Sequence, residues 1–425
     1  METFVNIICG ALLPLLLFGG GIFYLFKLRF FFILHPIKFL ASLKKSSGAS
    51  LKSLSVALAG TLGIGNIVGV SSAVLSGGYG AIFWMVASAF LSMGLKYAEV
   101  YLAMKSQRRA KNALFGGAPY YIYDGFFGRL GGKLSFFLAS IFAVFCIINS
   151  LTTGNLVQVS GVCTIFPIPK LIFGIIFATL VFLIILRGEK SIRCVSSFLI
   201  PILCAFYIVL CLAIILKNAS SLPYAISEIL RGAFDLKSAF GGALGFGIAS
   251  AIRFGVSRGL LSNEAGAGTS PLAHAVSPAE PHAQACLGVF EVFFDTVVLC
   301  SLSGLVLVLS GKFGASDALS FVLGAFESEL GAIGKYGVCF SCLFFAIATV
   351  AAQYFYGTES LRFITRSRTA AAIFSVIFLL VTTLSALIPS NAMWQISDLA
   401  LALMTIFNLV AIILLNKKVD FESSP

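Results

Sequence analysis

The chain has 425 residues, of which 59% are hydrophobic and only 11% are charged, and its mean hydropathy is +1.02. These values exclude an ordinary soluble domain and indicate a protein that crosses a membrane many times. The formal net charge of +12 does not require a nucleic-acid partner, because the lysines and arginines concentrate in alternate loops. We expect that charge to face anionic membrane lipid instead.

Apolar runs long enough to span a bilayer recur along the whole chain. A membrane helix needs about 20 mostly apolar residues, and the amino end lacks the basic start and small-residue cleavage site of a removable signal. We therefore expect the first run to stay as a span. Eleven runs are predicted to be spans: 5–26, 54–76, 80–104, 134–157, 171–186, 194–216, 240–262, 284–311, 337–357, 372–389 and 396–416.

The basic residues predict how the chain lies in the membrane. Twenty of them fall in segments 27–53, 105–133, 187–193 and 358–371 and in the tail after 416, whereas the alternate connecting segments hold six. Basic loops are retained in the cytoplasm. We therefore predict a bacterial-type inner-membrane protein with its amino end outside and its carboxyl end in the cytoplasm.

The spans after the first one divide into two blocks of five. The blocks cover residues 54–216 and 240–416, and residues 1–53 add one amino-terminal span and a basic cytoplasmic loop. Because five is odd, the second block enters the membrane from the opposite side, so a repeat of this kind is inverted. The predicted fold class is an all-α membrane protein, with one transporter domain over 1–425 and a five-plus-five inverted repeat.

Each block opens with an apolar run that a glycine-rich polar string interrupts. The strings are GTLGIGNIVGV at 60–70 and RGLLSNEAGAGTSP at 258–271. Backbone groups in hydrocarbon must be paired, so broken helices persist only where they line a cavity or face protein. Paired breaks in corresponding positions predict a transport site near the membrane midplane. For the first string, the alternative is tight helix packing through small residues such as Gly65 and Gly69.

The two strings offer different chemistry. In the first, glycines remove side chains that would block a ligand, while Thr61 and Asn66 add hydrogen-bonding groups. The second contains Glu264, which could bind a cation or a substrate ammonium group. For Glu264 we favour the alternative, an ion pair with Arg258 or Arg253.

Four more ionisable residues lie within predicted spans. Glu291 and Asp295 are four residues apart and share one helical face, which suits a proton relay but is more simply a gate or a helix contact. Lys96 and Glu99, three residues apart, are predicted to form an ion pair close to the inner surface.

No pattern in the chain indicates an enzyme. It has three histidines and no nucleotide-binding loop, and Cys339 and Cys342 form a CxxC without a second cysteine pair. We therefore predict no catalytic activity, no disulfide framework, no bound cofactor and no obligate protein partner.

Several strings together resemble one family of transporters. They are residues 60–85 and 258–275, KYAE at 96–99, GGAPYYI at 116–122, FFDT at 293–296 and YGTES at 356–360. The chain resembles the alanine or glycine:cation symporter family of the amino acid-polyamine-organocation transporters. The resemblance implies a leucine-transporter-like fold with discontinuous helices and an extra amino-terminal span. It also implies uptake of alanine or glycine, including D-alanine, by alternating access in symport with a cation, which is sodium.

The resemblance also implies which residues contact the transported solutes. For sodium these are Gly63 and Thr349. For the amino acid they are Gly65, Asn66, Gly69, Gln158, Leu261, Ser262, Asn263, Gly266 and Gly268.

Some positions depart from the family pattern. Leu261 stands where the family usually has phenylalanine, Ile64 where it has threonine, and Gln353 where it has tryptophan. Lost hydroxyl groups weaken a site for a hard cation, which binds oxygen ligands. A carrier coupled to H+ rather than Na+, a carrier for another small neutral amino acid such as serine, and a channel therefore stay open as alternatives.

Overall fold

The computed structural model describes residues 8, 12–44, 47–110, 113–234, 247–311, 317–388 and 390–420, with the backbone alone at 127, 129 and 390–395. Four pieces of the predicted spans lie outside the described residues, namely 5–7, 9–11, 240–246 and 389.

Helices dominate the described part of the first half. They are α1 Leu13–Lys27, α2 Phe31–Leu34, α3 Pro36–Lys44, α4 Gly48–Thr61, α5 Val68–Gly77, α6 Gly80–Lys105, α7 Ala118–Leu151, α8 Val157–Cys163, α9 Lys170–Ile185, α10 Glu189–Lys217 and α11 Leu222–Phe234. A small antiparallel hairpin, β1 Arg108–Ala110 and β2 Ala113–Phe115, lies between α6 and α7, with Arg108 opposite Phe115.

The second half is helical in the same way. Its helices are α12 Ile248–Asn263, α13 Ser270–His274, α14 Pro281–Val292, α15 Ser301–Leu309, α16 Ala318–Ile364, α17 Arg368–Ser385 and α18 Ser390–Leu414.

Seven stretches of the described helices are long and apolar enough to cross a membrane. They match the third, fourth, sixth and eighth to eleventh predicted spans. The first and fifth spans are shorter apolar helices, α1 and α9, and the second is interrupted between α4 and α5. The described part of the seventh is the continuous helix α12, and the break follows it. The prediction of an all-α membrane protein is confirmed. The seven are Gly80–Lys105, Leu130–Cys163, Glu189–Lys217, Pro281–Leu309, Ala318–Ile364, Arg368–Ser385 and Ile396–Leu414.

The first glycine-rich string is a break between two half-helices, as predicted. Helix α4 ends at Thr61, Gly63 is extended with φ −111° and ψ −154°, and a single 3₁₀ turn covers Ile64–Asn66 before α5 begins. We call residues 62–67 the first break. Its backbone groups leave the helical ladder, so they need partners from other segments.

The second string is also broken. Helix α12 ends at Asn263, Glu264 adopts a left-handed conformation with φ 48°, and Gly266 and Gly268 have φ values of 85° and 82° before α13 begins at Ser270. Positive φ is favourable for glycine because it has no Cβ. We call residues 264–269 the second break, and the predicted discontinuous helices are confirmed.

Other irregularities were not apparent from the sequence. Helices α7 and α16 bend at Gly131 and Gly331, whose φ values are 75° and 60°, just before the predicted starts at 134 and 337. The segments Thr152–Leu156 and Phe293–Cys300 are π-helical. Such bulges shift the side chains that follow and are frequent at functional sites.

Glycines let α6 pack tightly against its neighbours. A methyl group on Gly80 would lie 2.2 Å from the backbone of Gly232 in α11, and one on Gly255 in α12 would lie 2.5 Å from the carbonyl oxygen of Ala81. Backbones that approach this closely exclude any larger side chain. Helix α6 therefore forms a fixed support for α12, which leads into the second break.

Candidate functional site

The two broken helices meet directly. A methyl group on Gly65 would lie 3.6 Å from the Cα of Ser262 and 3.8 Å from the carbonyl oxygen of Leu261, and one on Gly69 would lie 4.0 Å from Leu261 Cδ2. The side chains of Leu261 and Ser262 are buried. Four of the predicted site residues are therefore neighbours in the interior, although they come from opposite halves of the chain.

Gln158 supports the first break from α8. Its Oε1 accepts a hydrogen bond of 2.9 Å from the backbone N–H of Ile64, and its Nε2 donates to the carbonyl of Thr153 at 3.4 Å. A methyl group on Gly63 would lie 2.4 Å from that Oε1. The amide thus fills the space beside Gly63 and replaces one hydrogen bond that the helix loses at its break.

Thr349 contacts the start of the first break, at Leu62. Its hydroxyl donates to the carbonyl of Leu62 at 3.2 Å and, within its own helix, to Phe345 at 2.9 Å. Leu62 directly precedes Gly63, so the structure places the two predicted sodium-site residues close together. The oxygens available here are one hydroxyl and the carbonyls of the break.

Asp295 links the two broken helices, a role that the sequence did not predict. The Nδ2 of Asn66 donates to its Oδ1 at 3.0 Å, and the hydroxyl of Ser262 donates to the same oxygen. Its neighbour Thr296 accepts a 2.9 Å hydrogen bond from Asn263 Nδ2. One acidic side chain thus contacts Asn66 in the first break and Ser262 in the last turn of α12.

Glu291 and Asp295 do not act as a pair, despite their spacing of four residues. Glu291 contacts Lys96 at 3.3 Å and the Nε2 of His274 at 2.9 Å, whereas Asp295 contacts Asn66 and Ser262. The π-helical segment begins between them, at Phe293. Each carboxylate belongs to a separate network, which does not fit a shared proton relay.

The favoured ion pair of Glu264 with Arg258 or Arg253 is wrong. Glu264 accepts hydrogen bonds from the hydroxyl of Thr269 and, at 2.9 Å, from Gln353 Nε2. Gln353 also donates to the carbonyl of Gly60 at 3.2 Å. The left-handed backbone at Glu264 directs its side chain along the break, while Arg258, earlier on α12, forms an ion pair of 2.6 Å with Asp398.

Gly266 and Gly268 contact different elements from the other predicted site residues. The N–H of Gly268 donates to Glu99 Oε2 at 3.0 Å, and the carbonyl of Gly266 accepts from Asn408 Nδ2 at 2.8 Å. Asn408 also donates to Glu99 at 3.1 Å. These contacts connect the second break with α6 and α18.

Buried charges hold the segment that follows the second break. The ammonium group of Lys96 lies 3.6 Å from Glu99 and 3.3 Å from Glu291, and it donates to Ser270 Oγ at 2.6 Å. The predicted Lys96–Glu99 pair is confirmed as part of this larger cluster. Because all three charged side chains are fully buried, loss of one charge would leave the others uncompensated.

Comparison with known proteins identifies the family of the chain. The model of the sodium:alanine symporter family matches residues 1–422. The chain belongs to the sodium:alanine symporter family. Its relatives include an uncharacterized transporter of Haemophilus influenzae, which is 37% identical over 98% of this chain and 93% of that protein. Another is the sodium/alanine symporter AgcS of Methanococcus maripaludis, 32% identical over 100% of this chain and 96% of that protein.

Solved structures of other proteins have a fold similar to that of this sodium:alanine symporter family member. MhsT, solved in complex with L-phenylalanine, superposes with a TM-score of 0.54 at 17% identity and covers 86% of this chain and 88% of its own. At that identity the match establishes the fold alone, a leucine-transporter-like arrangement of helices. The chain is therefore an integral-membrane transporter of this family and fold.

Proposed function

We propose that this transporter imports alanine or glycine, including D-alanine, in symport with sodium by alternating access. The observation that carries the proposal is the direct contact between the broken helices at Gly65 and Ser262. Two broken helices that meet inside a membrane protein can offer backbone groups on both sides of one small volume. The name of AgcS supports alanine as substrate and sodium as coupling ion.

The geometry suggests how an amino acid zwitterion is held. The amino end of α5, at Val68, presents N–H groups and the positive end of a helix dipole, which favour a carboxylate. The carboxyl end of α12, at Asn263, presents carbonyl groups that suit an ammonium group. We assign Gly65, Asn66 and Ser262 to the space between these two ends.

The remaining residues limit size and shape. Leu261 borders the space beside Gly69, where its Cδ2 would lie 4.0 Å from an added methyl group. Gln158 fixes the first break from one side, and the turn at Gly266 and Gly268 shapes the second. We assign the selection of small neutral amino acids to Leu261, which borders the substrate side chain.

We assign one sodium ion to the turn formed by Leu62, Gly63 and Thr349. The hydroxyl of Thr349 and the carbonyls of the break are hard oxygen ligands, which sodium prefers. One sodium ion that crosses a potential of about 100 mV supplies about 2.3 kcal/mol. That free energy corresponds to roughly fiftyfold accumulation of the amino acid. We also propose that the amino end lies outside and the carboxyl end in the cytoplasm, where its basic loops face anionic lipid.

Uptake into proteoliposomes tests the proposal. Labelled glycine, L-alanine and D-alanine are offered separately, with a sodium gradient or a proton gradient imposed alone. We expect saturable uptake driven by the sodium gradient. Uptake that ignores both gradients would exclude symport, uptake driven only by protons would replace sodium as the coupling ion, and non-saturable ion currents would indicate a channel.

Two variants test the residue assignment. Asn66→Ala and Gln158→Ala should each reduce uptake by about tenfold or more, because each loses a hydrogen bond of about 1.5 kcal/mol or more at the site. Ser341→Ala is the matched control, since its buried hydroxyl donates within α16 to Gly337 and contacts neither break. Normal uptake by either site variant, with Ser341→Ala also normal, would remove that residue from the site.

A further inference from the structure

We propose that a basic cavity beside the β-hairpin binds the phosphate group of one anionic phospholipid. The cavity measures about 280 Å³, and none of its lining residues belongs to either break. That volume lies just below the range of about 300–1,000 Å³ for pockets that enclose small organic ligands, so it suits a headgroup phosphate. The site goes beyond the proposed symport and beyond a general attraction of basic loops to lipid, because it assigns one lipid to one place.

Three segments that are distant in the sequence line this cavity. Arg108 comes from β1, and Tyr120 and Tyr123 come from the first two turns of α7. Arg362 lies in the last turn of α16, and Arg366 lies in the link to α17. The predicted orientation places all three segments on the cytoplasmic side. A ligand that contacts all of them would connect the hairpin with the ends of two long helices.

The charged side chains that line the cavity are all arginines. Arg108 forms an ion pair with Asp124, and Arg362 forms one of 3.0 Å with Glu359, but neither acidic residue lines the cavity. Arg366 is exposed and forms no ion pair within the described part of the chain. A guanidinium group can donate two parallel hydrogen bonds to one phosphate, and its charge does not depend on pH. The lining therefore favours a phosphate anion.

The walls of the cavity are held in place by their neighbours. The guanidinium group of Arg362 lies 5.4 Å from the centre of the Phe115 ring and also contacts Glu359, whose side chain is buried. Tyr120 packs edge-on against Phe363, with ring centres 5.0 Å apart, and against Phe115 at 5.6 Å. Side chains that are fixed before a ligand arrives lose little conformational entropy when they bind it.

The surroundings of the cavity favour a lipid over a soluble phosphate. Phe363, which lines the cavity, stacks on Phe136 with ring centres 5.5 Å apart. Phe136 belongs to the candidate span Leu130–Cys163, where Phe137 beside it is 59% exposed. Exposed apolar side chains on a membrane span contact acyl chains. A phospholipid held by its phosphate would therefore also bury apolar surface along this helix, which a soluble phosphate cannot do.

Thermal stability of the purified full-length protein in detergent micelles tests the site without relying on transport. Melting is followed with phosphatidylglycerol or phosphatidylcholine added to the micelles, and separately with inorganic phosphate or glycerol 3-phosphate at equal ionic strength. We expect phosphatidylglycerol to raise the melting temperature most, because binding to the folded state stabilises it. The soluble phosphates should have little effect.

The decisive variant is Arg366→Gln, which removes one lining charge and leaves no acidic partner unpaired. It should weaken the apparent affinity for phosphatidylglycerol by about fivefold, since a basic residue close to an anionic lipid surface contributes about 1 kcal/mol. Arg368→Gln is the matched control. It removes the same charge two residues further on, at the exposed start of α17 and outside the cavity lining, and should keep the wild-type affinity.

Native mass spectrometry of the same variants counts the phosphatidylglycerol molecules bound to the folded fraction, so partial loss of folding does not obscure the result. Equal stabilisation by phosphatidylglycerol and phosphatidylcholine would overturn the proposal. Equal losses of affinity in Arg366→Gln and Arg368→Gln would also overturn it, because they would indicate general attraction to basic loops. If inorganic phosphate stabilises the protein as strongly as phosphatidylglycerol, the ligand is a free phosphate and the lipid assignment is wrong.

Discussion

The contact between Gly63 and Gln158 gives a prediction about how the first break is built. Replacing Gly63 by alanine would place a methyl group 2.4 Å from Gln158 Oε1, 2.9 Å from its Cδ and 2.9 Å from its Nε2. The backbone at Gly63 is extended, so alanine is not strained there. The amide must therefore move, and the backbone N–H of Ile64 loses its acceptor in the interior.

The magnitude follows from that single lost bond. Leaving a buried N–H unsatisfied costs about 1–3 kcal/mol, so Gly63→Ala and Gln158→Ala should each lower the free energy of unfolding by that amount. In the double variant the bond is lost only once, and the new methyl group occupies part of the space that the amide leaves. The double variant should then be more stable than the sum of the single effects predicts, by about 1–3 kcal/mol.

The assay is SDS-induced unfolding of the micelle-solubilised protein, carried out for the wild type, both single variants and the double variant. Coupling of the expected sign would show that glycine at 63 exists to admit the Gln158 amide. If the two effects add to within about 0.5 kcal/mol, the residues are independent and the reasoning fails.

Three further outcomes are expected elsewhere in the molecule. Lys96→Met should destabilise the protein by about 3–5 kcal/mol in the same SDS titration, because two buried carboxylates lose their cation. Gly80→Ala should abolish a monodisperse elution profile, since its methyl group meets rigid backbone at 2.2 Å, whereas Gly128→Ala, with nothing within 4 Å, should behave as wild type. Arg258→Asp and Asp398→Arg should each impair uptake, and their combination should restore part of it if the ion pair matters.

Much of the architecture could be predicted from the sequence, because the residues that specify each span and each break are neighbours in the chain. Long apolar runs predicted the spans, and the helices that meet the length and composition for crossing a membrane coincide with seven of them. The strings at 60–70 and 258–271 predicted the two breaks, since glycines and polar residues inside an apolar run weaken a membrane helix at that point. The boundaries of the two repeats and the orientation in the membrane stay predictions.

The candidate site was predicted in part. Gly65 and Ser262 were named from their strings, and the fold brings them together. Asp295 stood out in the sequence as an intramembrane carboxylate, but its hydrogen bonds to Asn66 and Ser262, on the two broken helices, were not predictable. Its spacing from Glu291 suggested a pair on one regular helix, whereas the segment is π-helical and the two carboxylates join different networks.

What the sequence by itself determined was where helices run and where they stop, because hydrophobic periodicity and glycine act on neighbouring residues. Only the tertiary structure decided which polar groups pair in the interior. Glu264 bonds with Gln353, 89 positions away, rather than with the nearby Arg258, which pairs with Asp398. A buried polar group takes whichever partner the packed helices bring within hydrogen-bond distance, and that choice is set by the whole fold.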